Sequence, residues 1–287
     1  MRWKRVPGSG DVEDRRGRGG LGGGRMPLPI PIGKAGGGGL GVLLLVLAVL
    51  VLPGLLGDDG AGGLVPSGFG QAPAAPAGSA PGADTVFEFT KFVSKDAQDF
   101  WDGRFADAGR SYQRAPVVVF TSGTGTGCGA ASAATGPFYC PLDGKVYLDL
   151  SFFRELARRF GAPGDFAQAY VIAHEVAHHV QAQLGIERRV RELRDESPDR
   201  ANEYSVRLEL QADCLAGVWA HSTFERGLVE EGDVGEGLGA AEAVGDDRLG
   251  ARAPESWTHG SSAQRVEWWR RGFDSGDPER CDTFADA

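Results

Sequence analysis

Residues 174–178 read HEVAH, inside the longer stretch AYVIAHEVAHHVQAQLG. Two histidines four apart with a glutamate between them are the residue types that hold a zinc ion and activate water beside it. If the stretch is helical, four residues turn through about 400°, so His174 and His178 stand one turn apart on nearly one face. Their imidazoles can then converge on a single ion. Glu175 sits about 100° further round, which places its carboxylate beside the ion, within reach of a water proton. Zinc held by three protein ligands keeps a fourth position for water and lowers that water's pKa to about 7, so Glu175 becomes a general base. HExxH is a recurring pattern for this chemistry. It fixes only three positions, and a third ligand has to come from elsewhere.

The stretch RLELQADCLAG (207–217) offers Glu209 and, four residues on, Asp213, again on one helical face. Their neighbours Leu208, Leu210, Ala212, Leu215, Ala216, Val218 and Trp219 are apolar or small, and carboxylates in such a helix must be paired or bind a cation. Glu209 would complete a His2Glu set of the catalytic type. Asp213 could accept the second ring N–H of a ligand histidine and fix its tautomer. His259, in SWTHGSSAQRVEWW, could donate to the oxyanion of a tetrahedral intermediate. Arg265, on the helix that follows, could pair with a ligand carboxylate. His179 falls about 100° off the ligand face and reads as a supporting or surface residue. His221, two turns past Asp213, reads as structural.

Helices must position these groups. From Asp165, read as an N-cap, to Gly185, the residues Phe166, Tyr170, Ala173, Ala177, Val180 and Leu184 keep three/four spacing. Residues 201–225 form a second long helix, interrupted at most at Gly217. Residues 261–273 form a third, capped by Ser261 or Ser262. Helices are also expected over 92–109, over 151–161 with Ser151 as cap, and from Asp233, while ERRVRELRDESPD reads as an exposed helix or loop. PVVVF (116–120) is a buried strand. FYC (138–140) and KVYLDL (145–150) form a hairpin across Asp143-Gly144. The fold class is therefore α+β, mostly helical, with a small sheet.

The chain has 287 residues and a net charge of −9. Residues 1–39 carry +5, which leaves −14 on the rest. An acidic domain argues against nucleic acid as a partner. Residues 1–39 are basic and glycine-rich and read as a disordered cytoplasmic tail. Residues 40–57 form the one long apolar run, preceded by Arg15, Arg16, Arg18, Arg25 and Lys34 and followed by Asp58 and Asp59. They read as a single transmembrane anchor with the N-terminus cytoplasmic and the domain outside; a cleaved signal peptide is the alternative. Residues 58–84 are a Pro/Ala/Gly-rich linker, and 85–287 the folded domain. The four cysteines fit an oxidising compartment. Of three possible pairings, the local choice joins Cys128 to Cys140 and leaves Cys214 for Cys281.

Taken together, MRWKRVPGSGDVEDRRG, GPFYCPLDGKVYLDLSFFREL, AYVIAHEVAHHVQAQLG, RLELQADCLAGVWA, GDDRL and THGSSAQRVEWWRRGF resemble the bacterial neutral zinc metallopeptidase family (YpfJ-like). The resemblance implies a zincin-like domain behind one membrane anchor, one Zn2+ on His174, His178 and Glu209, Glu175 as catalytic base, and a peptide or protein substrate. THGSSAQR is also similar to the late histidine motif of membrane-linked gluzincins, which places His259 at the site; those enzymes usually carry proline where Gly260 stands. The same resemblance makes the strand near KVYLDL a sheet edge to which a peptide could add as an extra strand. The function expected is a membrane-anchored zinc peptidase, and the alternative is a non-catalytic, zinc-containing binding or scaffold protein. The oligomeric state is open.

Overall fold

The structure, a computed structural model, describes residues 1–8, 11–17, 83–251 and 253–285. In chain order the elements are β1 (Val12–Asp14), α1 (Ala83–Asp107), β2 (Val117–Phe120), β3 (Gly123–Thr126), β4 (Gly129–Ser132), β5 (Phe138–Cys140), β6 (Lys145–Asp149), α2 (Ser151–Arg159), α3 (Asp165–Leu184), α4 (Ile186–Glu196), α5 (Ala201–Glu225), α6 (Asp233–Ala243) and α7 (Ser262–Ser275). The class is α+β and mostly helical, as the periodicities predict.

The main sheet runs β1-β2-β6-β5. β2 pairs parallel with β1 and with β6, and β5 and β6 form the expected antiparallel hairpin. β6 therefore lies inside the sheet with a strand on each side. This corrects the reading of KVYLDL as an edge: a peptide cannot add to a strand whose two hydrogen-bonding rows are already taken. The second hairpin, β3–β4, falls in the Gly/Ala-rich stretch where no strand is expected, and the Cys128–Cys140 disulfide ties its turn to β5.

The start of the chain corrects a second expectation. Residues 1–8 and 11–17 are not a disordered tail. β1 joins the sheet at the register Val12↔Val117, and the Arg15 N–H donates to the Val119 carbonyl at 2.7 Å. Arg114 holds both carboxylate oxygens of Asp11, at 2.8 and 2.6 Å, and the Trp3 ring meets Phe89 of α1 edge-on. The charges of DVEDRR, which mask it as a strand, are paired: Asp11 with Arg114 about a hundred residues along the chain, Glu13 with Arg15 and Asp14 with Arg16 within the segment. No helix among the described residues is long and apolar enough to cross a membrane. The apolar run 40–57 and most of the expected linker, 58–82, lie outside the described residues.

α3, α5 and α7 form the bundle that carries the site. α5 and α7 cross with almost no room between their backbones: a Cβ on Gly217 would stand 2.1 Å from the Trp269 carbonyl oxygen, and one on Gly272 1.9 Å from that of Cys214. Gly217, read as a weak point in the helix, is thus the contact that brings α7 onto α5. The Cys214–Cys281 disulfide pins the C-terminal end of the chain to the same helix. Phe166, Trp219 and Trp269 fill the space between them and are fully buried. Two caps differ from expectation. The Asp149 carboxylate, not Ser151, accepts the first N–H of α2 at 2.9 Å. Asp165 is the first residue of α3, after Gly164, and its carboxylate faces elsewhere. Ser261 caps α7 in a reciprocal box with Gln264, as expected.

Candidate metal centre

α3 and α5 bring His174, His178 and Glu209 together. His174 Nε2 lies 3.2 Å from Glu209 Oε2 and 3.1 Å from His178 Nε2, and His178 Nε2 lies 3.6 Å from Glu209 Oε1. The three residues offer ligand atoms that all lie within 4.8 Å of one another. Two donors on a tetrahedral zinc, each about 2.1 Å from the metal, stand about 3.4 Å apart. The observed separations scatter around that value.

The hydrogen bonds behind the rings decide which nitrogens point inward. His174 Nδ1 lies 2.9 Å from Asp213 Oδ1, an acceptor, so Nδ1 carries the hydrogen and Nε2 presents a lone pair. His178 is fixed through a relay. Gln211 Nε2 donates to the Cys281 carbonyl (3.1 Å), and Gln181 Nε2 donates to Gln211 Oε1 (3.0 Å) and to the Leu208 carbonyl (2.8 Å). Gln181 Oε1 must then face His178 Nδ1, 2.8 Å away, and accept its hydrogen. The outcome is two bare imidazole nitrogens and a carboxylate aimed at one point with no hydrogen among them. Such a convergence of acceptors fits a divalent cation, and two imidazoles with one carboxylate suit zinc.

Asp213 is the hub behind His174. Besides the histidine it accepts hydrogen bonds from Tyr170 Oη (2.6 Å), Arg265 Nε (2.7 Å) and Arg265 Nη2 (2.9 Å), all buried. Burial alone would raise its pKa, but the charges of Arg265 and His174 outweigh that and hold it below the usual carboxylate range. Arg265 thus grips Asp213 rather than the ligand carboxylate and comes no nearer than 3.9 Å to Glu209. For Glu209, burial is outweighed by His178, His174 and His259, which keep it well below the usual range. Burial disfavours the imidazolium of His174, yet Asp213 and Glu209 raise its pKa to about 9, so the pocket favours positive charge.

Glu175 is buried on α3 beside the two histidines, and its carboxylate makes no hydrogen bond to the described residues. Burial pushes its pKa up, opposed by His174 and His178. His259 stands on the loop before α7, near enough to act electrostatically on Glu209. Its support is Asp246, which is buried and whose Oδ2 accepts the backbone N–H groups of Thr258 (2.8 Å), His259 (2.7 Å) and Gly260 (3.1 Å). Asp246 Oδ1 lies 3.1 Å from His259 Nδ1, and Nε2 makes no hydrogen bond among the described residues. Gly260 has φ +86, a value proline cannot reach. The loop therefore takes its own course where related motifs use proline.

Asp246, Gln181, Gln211 and Tyr170 support the site without having been singled out by type and spacing. GDDRL and the glutamine three residues past His178 stood inside the quoted segments, but nothing local distinguishes a supporting carboxylate or amide from a solvated one. His179 is buried between Tyr139 Oη (3.1 Å) and the Gln113 carbonyl (2.5 Å), joining α3 to β5. His221 Nδ1 meets the Phe273 carbonyl at 2.6 Å, a structural link between α5 and α7.

These features define a class: an α+β domain that gathers two imidazoles and one carboxylate from neighbouring helices into a group that could hold a metal ion. The chain belongs to the family described as "Putative neutral zinc metallopeptidase", whose family model matches residues 1–284. It is similar to the uncharacterized protein YpfJ of Escherichia coli strain K12, with 51% identity over 210 residues covering 71% of this chain and 73% of that one. It is also similar to the uncharacterized protein Rv2575 of Mycobacterium tuberculosis strain H37Rv, with 45% identity over 192 residues covering 61% of this chain and 64% of that one. No solved structure matches.

Proposed function

We propose that the protein is a zinc-dependent peptidase of zincin type that hydrolyses peptide bonds with Glu175 as general base. The observation that carries this reading is the meeting of three donor atoms, the two imidazoles with outward-held hydrogens, beside a buried carboxylate that makes no hydrogen bond among the described residues. Zinc, held by His174, His178 and Glu209, supplies Lewis acidity towards water and a substrate carbonyl. Glu175 takes the proton from the attacking water and passes it to the leaving amine nitrogen. Burial raises its pKa, which makes the carboxylate a stronger base towards that water. His259, braced by Asp246, donates from Nε2 to the oxygen that gains charge as the carbonyl carbon becomes tetrahedral. Asp213, locked by Arg265 and Tyr170, holds His174 in the tautomer that keeps Nε2 bare.

The location belongs to the same proposal. Two disulfides support a compartment outside the cytoplasm, and the apolar run 40–57 supports attachment to a membrane. The pairing of β1 with β2 supports the same compartment for the leader, which a single crossing by 40–57 would not allow.

The test is a peptide library offered to the purified full chain as zinc-loaded, chelator-treated and Glu175→Gln protein. Glu175→Gln keeps one zinc per chain and loses about 10²–10⁴-fold in turnover, the range for a general base. A zinc-loaded wild type that cleaves nothing, or a Glu175→Gln protein as active as wild type, overturns the reading. The first outcome leaves the zinc-containing binding protein in its place.

A further inference from the structure

The α-amino nitrogen of Met1 is at the centre of a second cluster of acidic groups, away from the metal centre. It lies 2.9 Å from Asp165 Oδ1, 3.1 Å from Asp233 Oδ2 and 3.2 Å from Glu230 Oε2. The three carboxylates come from different places: the first turn of α3, the first turn of α6 and the segment just before α6. Helix N-termini favour negative charge, which suits acidic side chains that face a cation. The Met1 side chain enters the hydrophobic core, 6% exposed, and the Arg2 N–H donates to the Leu228 carbonyl at 2.7 Å.

We propose that Asp165, Glu230 and Asp233 form a binding site for a primary α-ammonium group, filled by Met1 of the same chain, and that this seat locks the leader onto the helix that carries HExxH. An ammonium has three N–H donors, and three carboxylates stand within hydrogen-bonding distance of it. A divalent cation is the competing occupant, since Asp165, Asp233 and Glu236 also approach one another closely enough to ligate. The structure speaks against it in two ways. The space between the acids is taken by the Met1 nitrogen. Glu236 is committed to the start of α3, where Oε2 accepts the Phe166 N–H at 3.0 Å.

Charge is what the site reads. A formylated, acetylated or peptide-extended Met1 nitrogen is an uncharged amide with at most one hydrogen, and three carboxylates would then face one another with no cation between them. The leader's hold on the domain would fall to β1 and the Trp3 contact. Asp165 opens α3 nine residues before His174, so the seat braces the helix that supplies both histidines and the base.

The experiment uses the full chain with a C-terminal tag and a Met1 amine verified by mass. It is compared with the same chain preceded by Gly-Ser and with Asp233→Asn. The first readout is acetylation of the Met1 amine by an excess of an N-hydroxysuccinimide ester at pH 7.5, read on the N-terminal peptide. Burial works against the charged amine, but Asp165, Asp233 and Glu230 raise its pKa from 8.0 to about 10. Acetylation of the folded chain should therefore run at least about tenfold slower than in guanidinium, on the difference in free amine alone. The second readout is Tm without zinc: the Gly-Ser extension lowers it in wild type and not in Asp233→Asn. Should Asp233→Asn fail to fold, the wild-type labelling rate still decides. Equal labelling of the folded and unfolded chain overturns the proposal. So does an extension that leaves Tm unchanged, or millimolar Ca2+ or Mn2+ that displaces the amine and speeds its labelling. None of these readouts depends on peptide turnover, so the proposal can fail while the peptidase reading stands, and the reverse.

Discussion

Helix α3 meets charge at two points along its length, and the two are built on opposite plans. At His174 and His178 the chain supplies only acceptors: two imidazole lone pairs, each oriented from behind by a buried partner, and the Glu209 carboxylate. At Asp165 the chain supplies the acceptors and also the cation, because the Met1 amine sits among them. The first site includes nitrogen donors and keeps its supporting charges fully buried. The second is all oxygen and partly open to solvent, with Asp165 and Glu230 35% and 49% exposed. Clustered carboxylates alone therefore do not identify a metal site. What separates the two is whether a hydrogen-bearing cation of the chain already occupies the centre, and whether the donors include imidazoles whose outer nitrogens are held.

The contrast in burial predicts a contrast in cost. The largest effect should follow Arg265→Met, which leaves the Asp213 charge buried without its main partner. Stability should fall by about 3–5 kcal/mol, and zinc affinity by about 10–100-fold through the loss of His174 orientation. Denaturant titration and competition with a zinc chelator measure the two. A loss of stability with unchanged zinc affinity would sharpen the comparison by showing that Asp213 holds His174 without Arg265.

The disulfides come next. Cys214–Cys281 closes a separation of 67 residues and Cys128–Cys140 one of 12. Chain entropy makes them worth about 4 and about 3 kcal/mol respectively. Only the first should touch the metal centre, since the Cys281 carbonyl anchors the Gln211–Gln181 relay to His178. Serine variants of each pair, read by unfolding and by zinc binding, check both halves.

The smallest effect belongs to the Met1 seat. An ammonium whose pKa is raised on folding contributes stability that is complete below its unfolded value and fades as pH climbs through its folded one. With 8.0 raised to about 10, the Tm advantage of wild type over the Gly-Ser-extended chain should hold up to about pH 8 and close by about pH 10. It should amount to no more than a few °C for a domain this size. The groups facing the amine are Asp165 on α3, Glu230, Asp233 and Glu236 at and before the start of α6, and Arg2 beside it. A gap that widens with pH would point to one of those carboxylates instead.

Spacing and composition alone determined the helices that carry chemistry, the β5–β6 hairpin and the groups on α3 and α5, because four-residue spacing on a helix is itself a geometric statement. Carboxylates placed among apolar neighbours likewise announce that they need partners. Tertiary structure alone decided what those partners are. Gln181 and Gln211 matter through the Cys281 carbonyl, Asp246 through three backbone N–H groups of a loop more than ten residues on, and DVEDRR through pairings about a hundred residues away. Long-range pairing leaves no periodicity in the chain: a charged tripeptide reads as a solvated tail until the strand that accepts it is in view, and an interior strand reads the same as an edge. The sequence encodes which groups can bind a cation, and only the folded chain shows which cluster holds an ammonium of its own and which presents bare lone pairs.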